Sequence, residues 1–255
     1  MCRFLAYAGA PIFLDTILIE PQASLVNQSH SAREAKTVVN GDGCGLGWYG
    51  SRPEPGLYRG VLPAWSDPYL ASLCHQIAAP MFLAHVRSAT SGEVSTANCH
   101  PFSAGRRLFM HNGQIGGYDR LRRSIEALVP DDLYAHRRGN SDSEAIFLAA
   151  LGRGMATAPG DAFAATLAAC LRIQHLHNIT QPLRFTAILA DGERLHAFRW
   201  ASDERAPSLY WRRLDQGFAI ASEPFGAPDK DWQSVPPQCR MTIGTEVEFD
   251  AFAPC

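Results

Sequence analysis

Short apolar runs of strand length, set off by turns and breakers, constrain this chain more than any other feature. "RFTAILA" at 184–190 and "LHAFRW" at 195–200 show the type. Runs at 3–8, 45–49, 81–87, 108–111, 209–212, 217–221 and 246–252 read the same way. Side chains alternate between the faces of a strand, so a run that is apolar throughout needs cover on both sides. Helical periodicity falls at 69–78, 119–128, 143–151 and 162–177, the last opened by Pro159-Gly160-Asp161 with Asp161 as N-cap. Strands and helices come in runs and not in strict alternation, which favours α+β layers over a doubly wound parallel sheet. Two sheets packed face to face, with helices outside, satisfy the pattern. No linker interrupts residues 1–255, so one domain is expected.

Charge removes several function classes. Charged residues make up 19% of the chain and the formal net charge is −2, which exerts no global pull on nucleic acid or anionic membrane. Arg120, Arg122 and Arg123 form one dense basic cluster, read as the solvated face of a helix. The seven cysteines are odd in number and contain no C-x-x-C pair. That speaks against a disulfide framework or a cysteine-rich zinc site, and for a reducing cytoplasm. Residues 4–14 are mostly apolar, but Arg3 is the only side-chain charge before them, and Asp15 and Glu20 follow soon after. A buried strand followed by a helix fits better than a secretory signal. No stretch has the uninterrupted apolar length of a membrane span.

A cysteine at position 2 becomes the first residue once Met1 is removed. It then carries a thiol nucleophile and a free α-amino group that can serve as base. In "AHVRSATSG" (84–92) a buried strand runs into Arg87 and a small hydroxylated turn. Arg87 there can hold a carboxylate in a bidentate fork, with Thr90 and Ser91 adding hydrogen bonds; a surface ion pair is the plainer reading. In "NCHPF" (98–102), His100 is a base, a ligand or a turn residue. No second histidine stands at metal-ligand spacing from it, and His85 and His111 read as satisfied core or edge histidines. In "FMHNGQIGGY" (109–118), Asn112-Gly113 ordinarily marks a turn. The functional reading is an oxyanion hole, with the Asn112 amide and the Gly113 N–H aimed at one oxygen. In "GNSDSEAIFLAAL" (139–151), Ser141 or Asp142 caps a helix that has Glu144 in its first turn, and Asp142 can also hold a substrate ammonium. "NGDGCGLGWYG" (40–50) is too rich in glycine for a helix and lacks the G-K-[ST] of a phosphate loop. A turn leading into a strand that passes close to another backbone fits it.

The order of these stretches is more specific than any one of them. Cys2, then R-x-x-T, N-x-H-P, H-N-G and S-D-[ST]-E resembles the class II glutamine amidotransferases, which are N-terminal nucleophile hydrolases, over residues 2–147. "ASEPFG" (221–226), "DWQSVPP" (231–237) and the DG-x-G-x-GWY form of the glycine-rich stretch resemble a small stand-alone branch related to the ergothioneine-pathway γ-glutamyl hydrolase. The resemblance implies a four-layer αββα sandwich. It implies Cys2 as nucleophile, Arg87 and Thr90 on the substrate α-carboxylate, Asp142 on the α-ammonium, and Asn112 with Gly113 as oxyanion hole, with Ser88, Ser91 and His100 behind them. The implied reaction is hydrolysis of a γ-glutamyl amide through a γ-glutamyl thioester, with no metal or organic cofactor and no nucleic-acid or membrane partner. Two alternatives stand beside it. One is a glutaminase subunit that passes ammonia to a separate synthase; the other is a non-catalytic binding module that keeps the fold. Homo-oligomerisation stays open. Ser88 and Ser91 occupy positions where the glucosamine-forming members carry tryptophan and histidine, which argues against that role, and Cys44 stands where tryptophan is common.

Overall fold

Alternation along the strands sorts the interior into layers. The computed structural model describes residues 2–34, 38–88, 93–226 and 231–254. The strands are β1 (Arg3–Phe13), β2 (Cys44–Tyr49), β3 (Gly56–Gly60), β4 (Ala78–Val86), β5 (Phe102–Ala104), β6 (Arg107–Gln114), β7 (Arg184–Ala190), β8 (Leu195–Ala201), β9 (Tyr210–Leu214), β10 (Gly217–Ala221), β11 (Gln233–Ser234), β12 (Cys239–Ile243) and β13 (Val247–Ala251). The helices are α1 (Asp15–Leu18), α2 (Leu25–His30), α3 (Pro68–Gln76), α4 (Tyr118–Glu126), α5 (Asp131–Tyr134), α6 (Asp142–Leu151) and α7 (Pro159–Leu176). One sheet has seven strands in the order β11-β9-β10-β1-β4-β2-β3, and the other has six in the order β13-β12-β8-β7-β6-β5. The strand pairs within both are antiparallel.

On β1, Phe4 and Ala6 face the second sheet, where they meet a core that includes Leu83, Leu108, Met110, Ile188 and Met241. Leu5 and Tyr7 face the other way, toward Ile17, Leu25 and Leu70 of α1, α2 and α3. The six-stranded sheet repeats the arrangement. Phe109, Phe185 and Phe198 turn outward onto Phe147 of α6 and Phe163 of α7, with Phe109 stacked on Phe147 at 5.2 Å between ring centroids. Each such fully buried ring stabilises the fold by about 1.5–3 kcal/mol relative to exposure. The result is the expected α+β sandwich with layers α, β, β, α. No helix among the described residues is long and apolar enough to cross a membrane.

Strand 184–190 and strand 217–221 coincide with β7 and β10. Other expectations need correction. The strand expected to end at His111 runs on to Gln114, and Asn112 and Gly113 pair with Thr186 and Phe185 of β7, so this Asn-Gly is not a turn. Asp161 is not the N-cap of α7; Ala158 holds that position and Pro159 is the first helical residue, where its missing N–H costs nothing. Strand β12 was not anticipated because Arg240 and Thr242 break its apolar run. Yet Cys239, Met241 and Ile243 all join the core between the sheets. The basic cluster behaves as expected: Arg120, Arg122 and Arg123 are exposed on α4.

The glycine-rich stretch lets the two sheets close up. A Cβ on Gly45 would overlap the carbonyl oxygens of His100 and Tyr58, and one on Gly47 would overlap Leu108 and Pro101. Gly45→Ala is therefore expected to cost about 1–3 kcal/mol through overpacking against rigid backbone. Chemical denaturation of the variant checks this; an unchanged midpoint would mean that the sheets yield at this point.

Candidate active site

The register of the seven-stranded sheet brings two distant residues together. Arg3 pairs with Val86, so Cys2, just before β1, lies beside Arg87, just after β4. Across the space between the sheets, Asn112 shares a face of β6 with Leu108 and Met110, which point into the inter-sheet core. These residues meet at one end of that space, in a cavity of about 280 Å³. Cys2, Arg87, Ser88, His100, Asn112, Gly113 and Asp142 all line it. Thr90 and Ser91 lie outside the described residues.

Cys2 is half-buried, and its sulfur accepts a hydrogen bond from the Ser88 N–H at 3.4 Å. Ser88 thus touches the thiol through its backbone. Burial pushes the Cys2 thiol up, while the Ser88 N–H and the charges of Arg87 and Arg3 pull it back. Asn112 is buried, and its Nδ2 donates to no group among the described residues. A buried amide donor lining the same cavity as Cys2 is available to an incoming oxygen. Gly113 has no room for a side chain: a Cβ would overlap the Arg184 carbonyl and His111 Nε2.

Asp142 opens α6 from its first helical position, and Ser141 caps the helix by accepting the Glu144 N–H at 3.3 Å. The Asp142 Oδ2 accepts the Ile115 N–H at 2.8 Å, which ties α6 to the chain leaving β6. Glu144 reaches back to accept the N–H groups of Arg138 and Gly139 at 3.0 and 2.8 Å. Asp142 is therefore not needed as a cap, and it lines the cavity while holding the Ile115 N–H.

The histidines behave differently from one another. His111 is a satisfied core residue, as expected. Its Nε2 faces the Arg184 carbonyl at 3.2 Å and its Nδ1 faces Ser143 Oγ at 2.8 Å. Burial lowers its pKa, so the neutral ring donates from Nε2 and Nδ1 accepts the serine hydroxyl; this tautomer is assigned from the partners. His85 does not fit the satisfied reading, and it packs against His100. Their rings lie 4.3 Å apart, both are buried, and neither offers a nitrogen to a hydrogen-bonding group of the described residues. Burial holds both neutral, His85 down to about 3 and His100 well below the usual imidazole range.

Sequence reading missed residues that brace the cavity. Asn98, quoted only as a neighbour of His100, donates to Asn140 Oδ1 at 2.8 Å and accepts the Asn140 N–H at 2.9 Å. It joins the segment after Arg87 to the segment before Asp142. Arg3 donates from Nε to the Cys2 carbonyl at 2.8 Å and stands 3.8 Å from Glu223. The signal for Glu223 lay in "ASEPFG", which nothing in the local pattern explained.

The sequence profile of the class-II glutamine amidotransferases matches residues 17–213. The probable glutamine amidotransferase DUG3 of Saccharomyces cerevisiae is 30% identical over 95% of this chain and 82% of its own length. The gamma-glutamyl-hercynylcysteine sulfoxide hydrolase of Mycolicibacterium smegmatis is 29% identical over 92% of each chain. Among solved structures, a glutamine aminotransferase class-II domain protein from Silicibacter pomeroyi superposes with a TM-score of 0.79 at 38% identity, covering 99% of this chain and all of the other. Profile, relatives and the αββα layers agree: the chain belongs to the class-II glutamine amidotransferase family.

Proposed function

We propose that the chain is a γ-glutamyl amide hydrolase whose nucleophile is the thiol of Cys2, exposed as the first residue by removal of Met1. The observation that carries this reading is the meeting, in one cavity, of Cys2, Arg87, Asn112, Gly113 and Asp142 from four separate parts of the chain. Each has a distinct task in amide cleavage. Arg87 pairs its planar fork with the substrate α-carboxylate, and Asp142 holds the α-ammonium. The free α-amino group of Cys2, with a reference pKa of about 7.7–8.0, takes the thiol proton. The sulfur attacks the γ-carbonyl carbon, and the oxygen, now an anion, accepts from Asn112 Nδ2 and the Gly113 N–H. The C–N bond breaks as the α-ammonium returns the proton to the leaving amine. Water then cleaves the γ-glutamyl thioester, releasing glutamate and the free thiol.

Every group in this scheme belongs to the chain itself, so neither a metal nor an organic cofactor enters it. His100 and Ser88 line the cavity beside the reacting groups, with His100 kept neutral by burial. All of residues 1–255 are read as one such domain, because the core between the sheets draws on strands from both ends of the chain. A reducing cytoplasm suits a catalytic thiol that must stay unoxidised. The naming of a relative as a γ-glutamyl conjugate hydrolase supports hydrolysis over ammonia delivery to a partner synthase.

The test is a panel of γ-glutamyl amides that includes glutamine, scored by glutamate release. Turnover is expected for substrates with a free α-ammonium and a free α-carboxylate. N-acetylated counterparts should fall below detection, since acetylation removes the charge that Asp142 holds. Equal turnover of acetylated and free amides would remove Asp142 from its role.

A further inference from the structure

Directly behind the cavity lies a charge pair that the catalytic scheme does not use. Arg3 is fully buried and Glu223 is 3% exposed. The Arg3 guanidinium donates from Nε to the Cys2 carbonyl at 2.8 Å and from Nη1 to the Ser222 carbonyl at 3.1 Å. Glu223 stands 3.8 Å away and accepts the N–H of Arg33 with both oxygens at 3.1 Å and that of Glu34 at 3.0 Å. Glu34 in turn accepts from the Tyr210 hydroxyl at 3.1 Å. Taking a guanidinium and a carboxylate out of water costs several kcal/mol per ion, and such pairs are often no more stable than apolar side chains of similar volume. A network that only held β1 against β10 would not need charges. Phe4 and Ser222 already make that join, with Phe4 N–H donating to Ser222 Oγ at 3.0 Å and Ser222 N–H to the Phe4 carbonyl at 3.0 Å.

We infer that Arg3, braced by Glu223, is a positioning residue for the nucleophile: it fixes the peptide carbonyl of Cys2 and thereby the direction of its thiol and α-amino group. A cation held there also favours their deprotonated forms. The inference rests on the reading of Cys2 as nucleophile. A mobile first residue would sample many rotamers, and small misplacement of a reacting atom is expensive in rate. With its carbonyl held by Arg3 and its sulfur touching the Ser88 backbone, residue 2 has a defined orientation. Arg87, His100, His111, Asp142 and Arg184 line the cavity with Cys2, Cys99 lies before β5, and Glu34 and Tyr210 lie beyond Arg3. Arg3 is bonded to the carbonyl of residue 2 itself, with Glu223 on its far side.

The experiment separates positioning from support of the fold. Arg3→Met alone would leave Glu223 buried without its cation, and the fold itself could fail. The double variant Arg3→Met/Glu223→Gln removes both charges and keeps an acceptor for the Arg33 and Glu34 amides. Arg3→Lys keeps the charge and loses the fork. N-terminal mass spectrometry confirms Met1 removal in each, and Cys2→Ala sets the inactive baseline. If Cys2→Ala is fully active, the nucleophile reading fails, and this inference with it. If Cys2→Ala is inactive, the Arg3 variants decide. The folded double variant is expected to lose at least about 10-fold in kcat with KM changed less than about 3-fold. The pH midpoint for alkylation of Cys2 should move upward by roughly half a pH unit or more, because a nearby cation favours the thiolate. Arg3→Lys should keep the native midpoint and still lose kcat. A folded double variant with native kcat, or with an unmoved midpoint, overturns the inference.

Discussion

Cys2→Ala is expected to abolish glutamate release from every γ-glutamyl amide while leaving the melting temperature close to native. The two effects separate because of where the residue sits. Cys2 lies just outside β1 and is only half-buried, so its side chain contributes little to any of the three cores. Truncation to alanine removes one sulfur and its contact with Ser88, a change of about 1 kcal/mol or less. Alanine is also small enough to allow removal of Met1, so the variant keeps a free α-amino group in the same place. What it loses is the atom that the proposed mechanism assigns to the thioester. The remaining cysteines provide the control. Cys44 is buried with its sulfur 3.6 Å from Asp67 Oδ2, and Cys99 points at the Gly60 and Ser95 carbonyls. Burial pushes both thiols up, as it does Cys2, but neither lines the cavity that Cys2 lines, so neither is placed to meet a substrate. Replacing either with serine should lower stability without eliminating turnover. Full glutamate release by Cys2→Ala would remove the nucleophile assignment, and turnover lost with Cys44→Ser in a folded protein would redirect it.

Legibility in the sequence followed burial. Strands such as β7 and β10 are hydrophobic because they are covered, and their limits follow from composition alone. The edge strand β3 is partly exposed and glycine-bounded, and β5 has three residues, so neither produces an apolar run. Among residues that line the cavity, those near a distinctive local pattern stood out: Cys2 by its position, Arg87 at a strand end, Asp142 at a helix start. The bracing residues were not. Arg3 finds Ser222 and Glu223 about 220 positions away, and nothing near either end signals the pairing. Asn98 meets Asn140 across a gap that only the folded sheets close. The pairing of His85 with His100 likewise depends on β2 lying close enough to the His100 carbonyl that Gly45 cannot carry a side chain. Asn112-Gly113 shows the reverse case. The dipeptide favours a turn locally, yet β7 supplies a full partner strand, and pairing prevails over a propensity worth about 1 kcal/mol.

That pairing sharpens what Asn112→Ala should do. A turn residue would show its loss in stability, because its side chain or its backbone preference would hold the bend. Asn112 sits instead in the middle of a ladder, opposite Thr186, where alanine keeps the same backbone hydrogen bonds. Its Nδ2 is buried and gives no hydrogen bond to the described residues, so truncation breaks no donor contact there and removes a group that is costly to leave unpaired. The melting temperature of Asn112→Ala should therefore stay level or rise. Activity should move the other way. If the amide stabilises the oxyanion, its loss lowers kcat by roughly 10²–10³-fold, the usual effect of one such donor. KM should change much less, since negative charge gathers on that oxygen mainly in the transition state. A group that is unfavourable to the resting fold and favourable to the reaction is the signature of a site kept for chemistry. The measurement is kcat, KM and thermal melting on one preparation whose N-terminal residue is verified as Cys2. A native kcat in a folded protein would leave Asn112 as a strand residue and the oxyanion without its side-chain donor.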